Sequence, residues 1–182
     1  MNIYKYIRSK DVGKDKRCFM KKLIKNKKIV IVDVETSGLW CGEYEDEKIA
    51  RILRVDATKI DDGKIGESFS SLVACGEYIN KYVRDITGIS NKTLKGAPRL
   101  KTVLKQLKDF TNGYEVYARN SKFANKFLSY YGNKNGIETN LAKADDYDEI
   151  SKFLRYGEGV KEALQLATTS DTETLASLLI KT

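Results

Sequence analysis

The stretch IVIVDVETSG, residues 29–38, constrains this chain more than any other. Four β-branched residues, Ile29 to Val32, run straight into Asp33, and side chains branched at Cβ favour a pleated, packed surface. Residues i and i+2 of a strand point to the same face. A buried strand therefore delivers Asp33 and Glu35 side by side. Like charges that close repel, and burial makes the repulsion worse. One use for such a pair is to hold Mg²⁺ or Mn²⁺, which take clustered oxygen ligands. Two such ions about 3.5–4 Å apart clamp the attacking and leaving oxygens of a phosphodiester. A second use is plainer: a strand end open to water, or a loop cap. Thr36-Ser37-Gly38 adds weight to the first, since glycine permits a sharp turn and small residues leave room for a substrate.

The rest of the chain sets bounds on that platform. At 182 residues it has the length of one α/β domain, or one domain with an appendage. An apolar fraction of 41% is enough for a core. No apolar run has the length of a membrane span or the flanks of a secretory signal. The cysteines (Cys18, Cys41, Cys75) are odd in number and lack metal-like spacing, so they read as reduced thiols of a cytoplasmic protein. Histidine is absent, which removes imidazole as base, nucleophile or ligand.

The net charge of +8 is unevenly placed. Residues 1–28 carry eleven Lys/Arg and two Asp, a net +9, while the remaining 154 residues carry twenty-two basic and twenty-three acidic side chains, a net −1. Residues 1–27 thus form a basic arm, partly helical, with residues 28–182 as the domain. Two uses of the arm stand: a grip on phosphates, or a solvated tail. Phe19, Met20, Leu23 and Ile24 fall on one side of a helix that would dock with its lysines outward.

Alternation and turn signals predict strands at 28–34, 50–60, 68–73 and 115–118, with Asp61-Asp62-Gly63 turning the chain between the second and third. Helices are expected over 80–87, 102–112, 123–131, 146–154 and 170–180, with Pro98 just before the second. Strands come early as a meander and helices later, so the expected class is α/β: a mixed central sheet flanked by helices.

At DVETSGL the chain resembles the first motif of the DnaQ-like 3′–5′ exonucleases, DEDD nucleases with a ribonuclease H-like fold. The resemblance continues in order through ATKIDDGKIGESFSSLV, DITGISNKTLKGAPRLKTVLKQLKDF, VYARNSKFANKFL and TTSDTETLASLL. It implies a domain acting on single-stranded DNA or RNA 3′ ends with two metal ions, Mg²⁺ or Mn²⁺. It also implies a proofreading role, and with it a replication or repair protein as partner.

Carried over residue by residue, the resemblance makes Asp33, Glu35 and Asp171 the catalytic carboxylates and the ligands of one metal. Asp171 also has a simpler use: with Ser170 it would sit at a helix N-terminus, where caps and dipole favour it. In the second motif, Asn120 and Phe123 hold the register, while Arg119 replaces the family's usual histidine and Ala124 stands where the family has an aspartate, and a methyl group holds no cation. Leu166 and Ala167 occupy the positions of the catalytic histidine and of the sister subclass's tyrosine. Asp145, Asp146 and Asp148 downstream read as solvated loop or helix-start residues. In the second strand, Arg54-Val55-Asp56-Ala57 replaces the usual Glu-Ile-Gly-Ala.

The resemblance further implies nucleic-acid contacts by Thr36, Gly38, Leu39, Trp40, Arg119 and Asn120, with Leu39 and Trp40 wedged near the 3′ base; Trp40 suits a core position equally well. Arg119, with Lys122 and Lys126 nearby, is placed to meet a phosphate or Glu35. Tyr114 and Tyr117 are candidates for base stacking, although half-buried amphipathic packing is the expected use of the eleven tyrosines overall. Three functions follow: a weak exonuclease, a non-catalytic nucleic-acid binder, and a protein-interaction module on the same fold.

Overall fold

The computed structural model describes residues 27–42, 49–118 and 120–139. Residues 1–26 of the basic arm, Arg119, Asp145, Asp146, Asp148, Leu166, Ala167, Asp171 and the expected helices at 146–154 and 170–180 lie outside them. The described elements are β1 (Lys28–Thr36), β2 (Ile52–Asp61), β3 (Lys64–Leu72), α1 (Lys81–Thr87), α2 (Leu100–Thr111), β4 (Glu115–Ala118) and α3 (Ser121–Asn135). The strands form one sheet in the order β3-β2-β1-β4. β2 is antiparallel to β1 and β3, while β4 is parallel to β1. The sheet is mixed and helix-flanked, as the order of elements predicts.

Each element has a local cause. The β2–β3 hairpin closes through a two-residue loop, Asp62-Gly63, with φ of 48° and 73°. Positive φ at both positions twists the turn to match its strands, and Asp-Gly is a favoured pair there. The third strand begins at Lys64 instead of 68 because pairing resumes at once, Asp61 opposite Lys64. α2 places Val103, Leu104, Leu107 and Thr111 inside, the stripe of an amphipathic helix. Asn120 caps α3, its side chain accepting from the Phe123 N–H at 3.3 Å. That cap starts the helix two residues before the expected 123.

The main core lies on one face of the sheet. Val30, Val32 and Val34 of β1 and Val55 and Ala57 of β2 meet Val103, Leu104 and Leu107 of α2 and Ala124, Phe127, Leu128 and Tyr131 of α3. The alternation puts Asp33 and Glu35 on the opposite face, together with Ile29 and Ile31. A second, smaller core joins Leu53 to Ile79, Val83, Ile89 and Leu94. Leu53 reaches it through a β-bulge: Glu35 pairs with Arg54 but Thr36 pairs with Ile52, so Leu53 is the extra residue. Bulges re-aim side chains and bend the strand, and this one sits beside Glu35.

Candidate active site

β1 is the central strand that ends in the carboxylates. It is paired on one side by β2 along its whole length and on the other by β4 from Ile29 to Val32. Asp33 and Glu35 follow immediately past the β4 pairing and are half-buried. One Asp33 carboxylate oxygen accepts from the Val34 N–H at 3.0 Å. The first-motif pair is therefore placed as expected, side by side on a rigid strand.

The loop after the pair is tied to the start of β2. The Ser37 N–H donates to the Arg51 carbonyl at 2.8 Å, and the Arg51 N–H donates to Ser37 Oγ at 2.8 Å. The Ala50 N–H donates to the Trp40 carbonyl at 2.8 Å. Thr36 Oγ1 donates to the Gly38 carbonyl at 2.6 Å, closing the turn from within. A Cβ on Gly38 would stand 3.3 Å from Ala50 Cβ, a tight contact, so glycine here eases a close approach rather than supplying backbone freedom. Below the loop, the Tyr131 hydroxyl donates to the Ala50 carbonyl at 2.7 Å. Thr36 and Gly38, expected at a nucleic acid, thus shape the loop that would meet it.

This bracing pushes Leu39 and Trp40 outward, 73% and 53% exposed. A core position for Trp40, one of its two expected uses, is overturned: the bracing of the loop turns the ring to solvent. Lys126 Nζ lies 5.2 Å from the Trp40 ring centroid, a distance for cation–π attraction. Cys41 beside it is buried. Burial raises its thiol above the ordinary value, and Lys126 opposes that rise.

Arg54 and Asp56, the two departures in the second strand, form one unit. Register sets Arg54 opposite Glu35 and Asp56 opposite Asp33. Directly opposed residues on one face stand about 4.5–5.5 Å apart at Cβ. A carboxylate added opposite Asp33 needs a counter-charge, and Arg54 supplies it: Nε lies 2.8 Å from Asp56 Oδ2. The contact is ionic without the alignment of a hydrogen bond. Among the described residues no three Asp, Glu, Cys or His side chains are grouped to hold a metal. Asp56 is engaged with Arg54 and is not grouped with Asp33 and Glu35. Their expected third partner, Asp171, lies outside the described residues.

The second-motif half is different in kind. Asn120 spends its carboxamide oxygen on the α3 cap, and Phe123 packs on Phe127 with ring centroids 4.7 Å apart. Ala124 is buried among the core residues. Asp33 and Glu35 offer carboxylate oxygens that could hold a cation, and the Ala124 methyl offers no ligand atom.

For Tyr114 and Tyr117 the structure shows packing, the expected use of the tyrosines overall, and base stacking is overturned. Tyr117 is buried, with its hydroxyl donating to Glu115 at 2.9 Å. Tyr114 donates to both Asp61 carboxylate oxygens at 3.1 Å, and its ring meets Lys28 at 5.7 Å and Lys59 at 5.0 Å. One lies in the parallel strand β4 and the other just before it, where packing claims the ring. Tyr78 and Tyr82 are also exposed, and the sequence signal for Tyr82 is its spacing of four from Ile86 on a short helix, which gives those two one shared face.

Comparison with known proteins agrees with this geometry. The exonuclease (RNase T) family profile matches residues 30–182. The PolC-type DNA polymerase III of Caldanaerobacter subterraneus subsp. tengcongensis is 30% identical over 125 residues, covering 69% of this chain and 8% of that protein. The PolC-type enzyme of Streptococcus pyogenes serotype M1 is 32% identical over 100 residues, 55% of this chain and 6% of that protein. The chain thus spans under a tenth of the length of these relatives. Among solved structures, a full-length 3′-exonuclease superposes with TM-score 0.63 at 15% identity, covering 86% of this chain and 60% of that one. The nuclease domain of 3′hExo, a DEDDh family member bound to rAMP, gives 0.61 at 15%, covering 86% and 91%. Exonuclease X with 5′-overhanging duplex DNA gives 0.56 at 18%, covering 84% and 89%. These likenesses carry the fold, and the profile carries the family: the chain belongs to the exonuclease family, as a DnaQ-like domain on a ribonuclease H-like fold.

Proposed function

We propose that this domain binds the 3′ end of single-stranded DNA or RNA at the corner between Asp33 and Trp40, and hydrolyses it poorly. One arrangement carries the proposal. A carboxylate pair on a rigid strand adjoins a braced loop presenting Leu39 and Trp40, while the second-motif position is a buried methyl group. Asp33 and Glu35, with Asp171, would hold one Mg²⁺ or Mn²⁺, and such an ion would polarise a phosphodiester and neutralise its charge. Ala124 leaves the leaving oxygen without a second ion, and Leu166 and Ala167 provide no base. General acid–base help is worth about 10²–10⁴ in rate, so weak turnover is expected. Residues 28–182 are the functional unit, cytoplasmic, with residues 1–27 an added basic arm that brings phosphate affinity. Among the described residues no helix is long and apolar enough to cross a membrane. The likeness to PolC-type polymerases supports a replication or repair protein as partner.

The test is binding of a short fluorescent oligonucleotide with a free 3′ hydroxyl against one ending in a 3′ phosphate. The free end is expected to bind more tightly. Trp40→Ala should weaken it about tenfold, the usual worth of one stacked base. Equal binding of both ends, unchanged by the substitution, would contradict the proposal.

A further inference from the structure

Five of the six large apolar side chains exposed among the described residues gather in two places, with Ile65 apart on β3. Leu39 and Trp40 are one; Tyr78, Tyr82 and Ile86, at 74%, 73% and 54%, are the other. Tyr82 and Ile86 are one helical turn apart on α1 and so share a face. Arg84 backs Tyr78, its guanidinium 5.6 Å from the ring centroid and donating to the hydroxyl at 3.1 Å. A second bond from Arg84 to the Ile79 carbonyl, 2.7 Å, holds the guanidinium in place. The ring is therefore preset while most of it stays open to solvent.

This patch is also basic, which the near-neutral sum of the domain conceals. Residues 78–97 carry Lys81, Arg84, Lys92 and Lys95 against one acidic side chain, Asp85. The turn bearing the last two lysines is clamped to the tyrosines. Asn91 Oδ1 accepts from the Ile79 N–H at 2.9 Å and its Nδ2 donates to the Glu77 carbonyl at 2.7 Å. Leu94, between the lysines, enters the same small core as Ile79 and Val83. Lys92 and Lys95 are exposed.

The patch adjoins the first-motif loop. Arg51, bonded to Ser37 through its backbone, reaches Glu77 with its side chain, Nε to Oε1 2.8 Å. That ion pair, next to Tyr78, bridges the two exposed patches above a cavity of about 230 Å³ lined by Arg51, Cys75, Glu77 and Tyr131.

We infer that residues 78–97 form a second nucleic-acid surface, which holds the single strand upstream of a 3′ end seated at Trp40. The inference rests on the proposed 3′-end binding and extends it. Exposed rings take bases on their faces without regard to sequence, and lysines beside them track the phosphates. An apolar protein partner would suit the rings but not the excess of positive charge.

The experiment compares single strands of about four and about twenty nucleotides, the lower bound and more than the span of a compact single-strand site. The short strand reads the Trp40 corner alone. The long strand is expected to bind more tightly. Tyr82→Ala should remove about tenfold of that gain, with Tyr82→Phe retaining it, because a phenyl ring stacks as a phenol does. Lys92→Glu with Lys95→Glu should flatten the salt dependence for the long strand, by about one unit of slope for each phosphate the protein no longer neutralises. All three positions are exposed, and an unchanged melting temperature confirms the fold. If the short strand binds and the long one gains nothing, or if Tyr82→Ala leaves the gain intact, the surface serves something else, a protein included, and the inference falls. If neither strand binds, the proposed 3′-end function falls with it.

Discussion

On the proposed reading the end of β1 and the start of α3 are two halves of one site, and they differ in kind. At β1 the residues carrying chemistry and those carrying the fold are interleaved: Val32 and Val34 face the core while Asp33 and Glu35 face the other side. At α3 the family's residues with structural work remain, Asn120 as the cap and Phe123 against Phe127. Ala124, at the position where the resemblance implies a ligand, is part of the core. Motif likeness at α3 thus reports packing, and at β1 it reports packing and, on the proposed reading, chemistry.

The largest effect should come from forcing chemistry back into the α3 half. Ala124→Asp would bury a carboxylate beside Phe127 and Leu128, and an uncompensated buried charge costs about 3 kcal/mol or more. Chemical denaturation should show that loss. Its recovery on adding Mn²⁺ would mean that position 124 reaches a cation, and the two halves would then differ less than described.

Arg54→Ala tests the β1 half. It strands Asp56, whose side chain is nearly enclosed. Breaking a fully buried pair costs about 3–5 kcal/mol, and partial access to water reduces this to about 2. Arg54→Ala with Asp56→Ala should restore most of it. A single variant as stable as the parent would show that the pair is not compensating a carboxylate placed opposite Asp33. Asn120→Ala should cost about 1 kcal/mol, the worth of an N-cap, and leave binding of a short strand nearly unchanged. A large loss of binding at constant stability would instead give Asn120 a direct contact with the nucleic acid.

The smallest effect is alkaline. Burial raises the Tyr131 phenol above its ordinary value, and Arg51 opposes the rise. In the unfolded chain the phenol loses its proton near pH 10, while the folded protein still holds it. The unfolded state then binds fewer protons, so stability falls as pH rises above about 10. Tyr131→Phe should be less stable at neutral pH, for want of the bond to Ala50, and should lose less than the parent between pH 9 and 11, about 1 kcal/mol or under. Parallel curves would remove Tyr131 as the cause.

Much of the fold was legible because it rests on local patterns. The β-branched run, the Asp-Gly turn and the heptad-like spacing of α2 each specify an element by periodicity. β4, only four residues long, was read at its observed bounds, Glu115–Ala118. Element ends were less legible: β1 runs to Thr36 only because a bulge at Leu53 keeps it paired with β2, a long-range event that no local window contains. The site was legible in its carboxylates for the same reason as the strand. The exposure of Trp40 depends on the bracing of its loop by Ala50 and Arg51, and the burial of Tyr117 depends on the neighbours of β4. Neither can be seen from ring chemistry alone. The Arg54–Asp56 pair was visible as two departures, and became one feature only when register set them against Glu35 and Asp33.

The most direct measurement of the central claim, a half-retained site that binds ends but cuts poorly, is release of a 3′-terminal label from a single strand in Mg²⁺ and in Mn²⁺, beside an Asp33→Ala preparation. The strand is expected to be bound, with label release by the two proteins indistinguishable or differing by little. Rapid release by the parent protein, abolished in Asp33→Ala, would contradict it and show that the remaining carboxylates suffice.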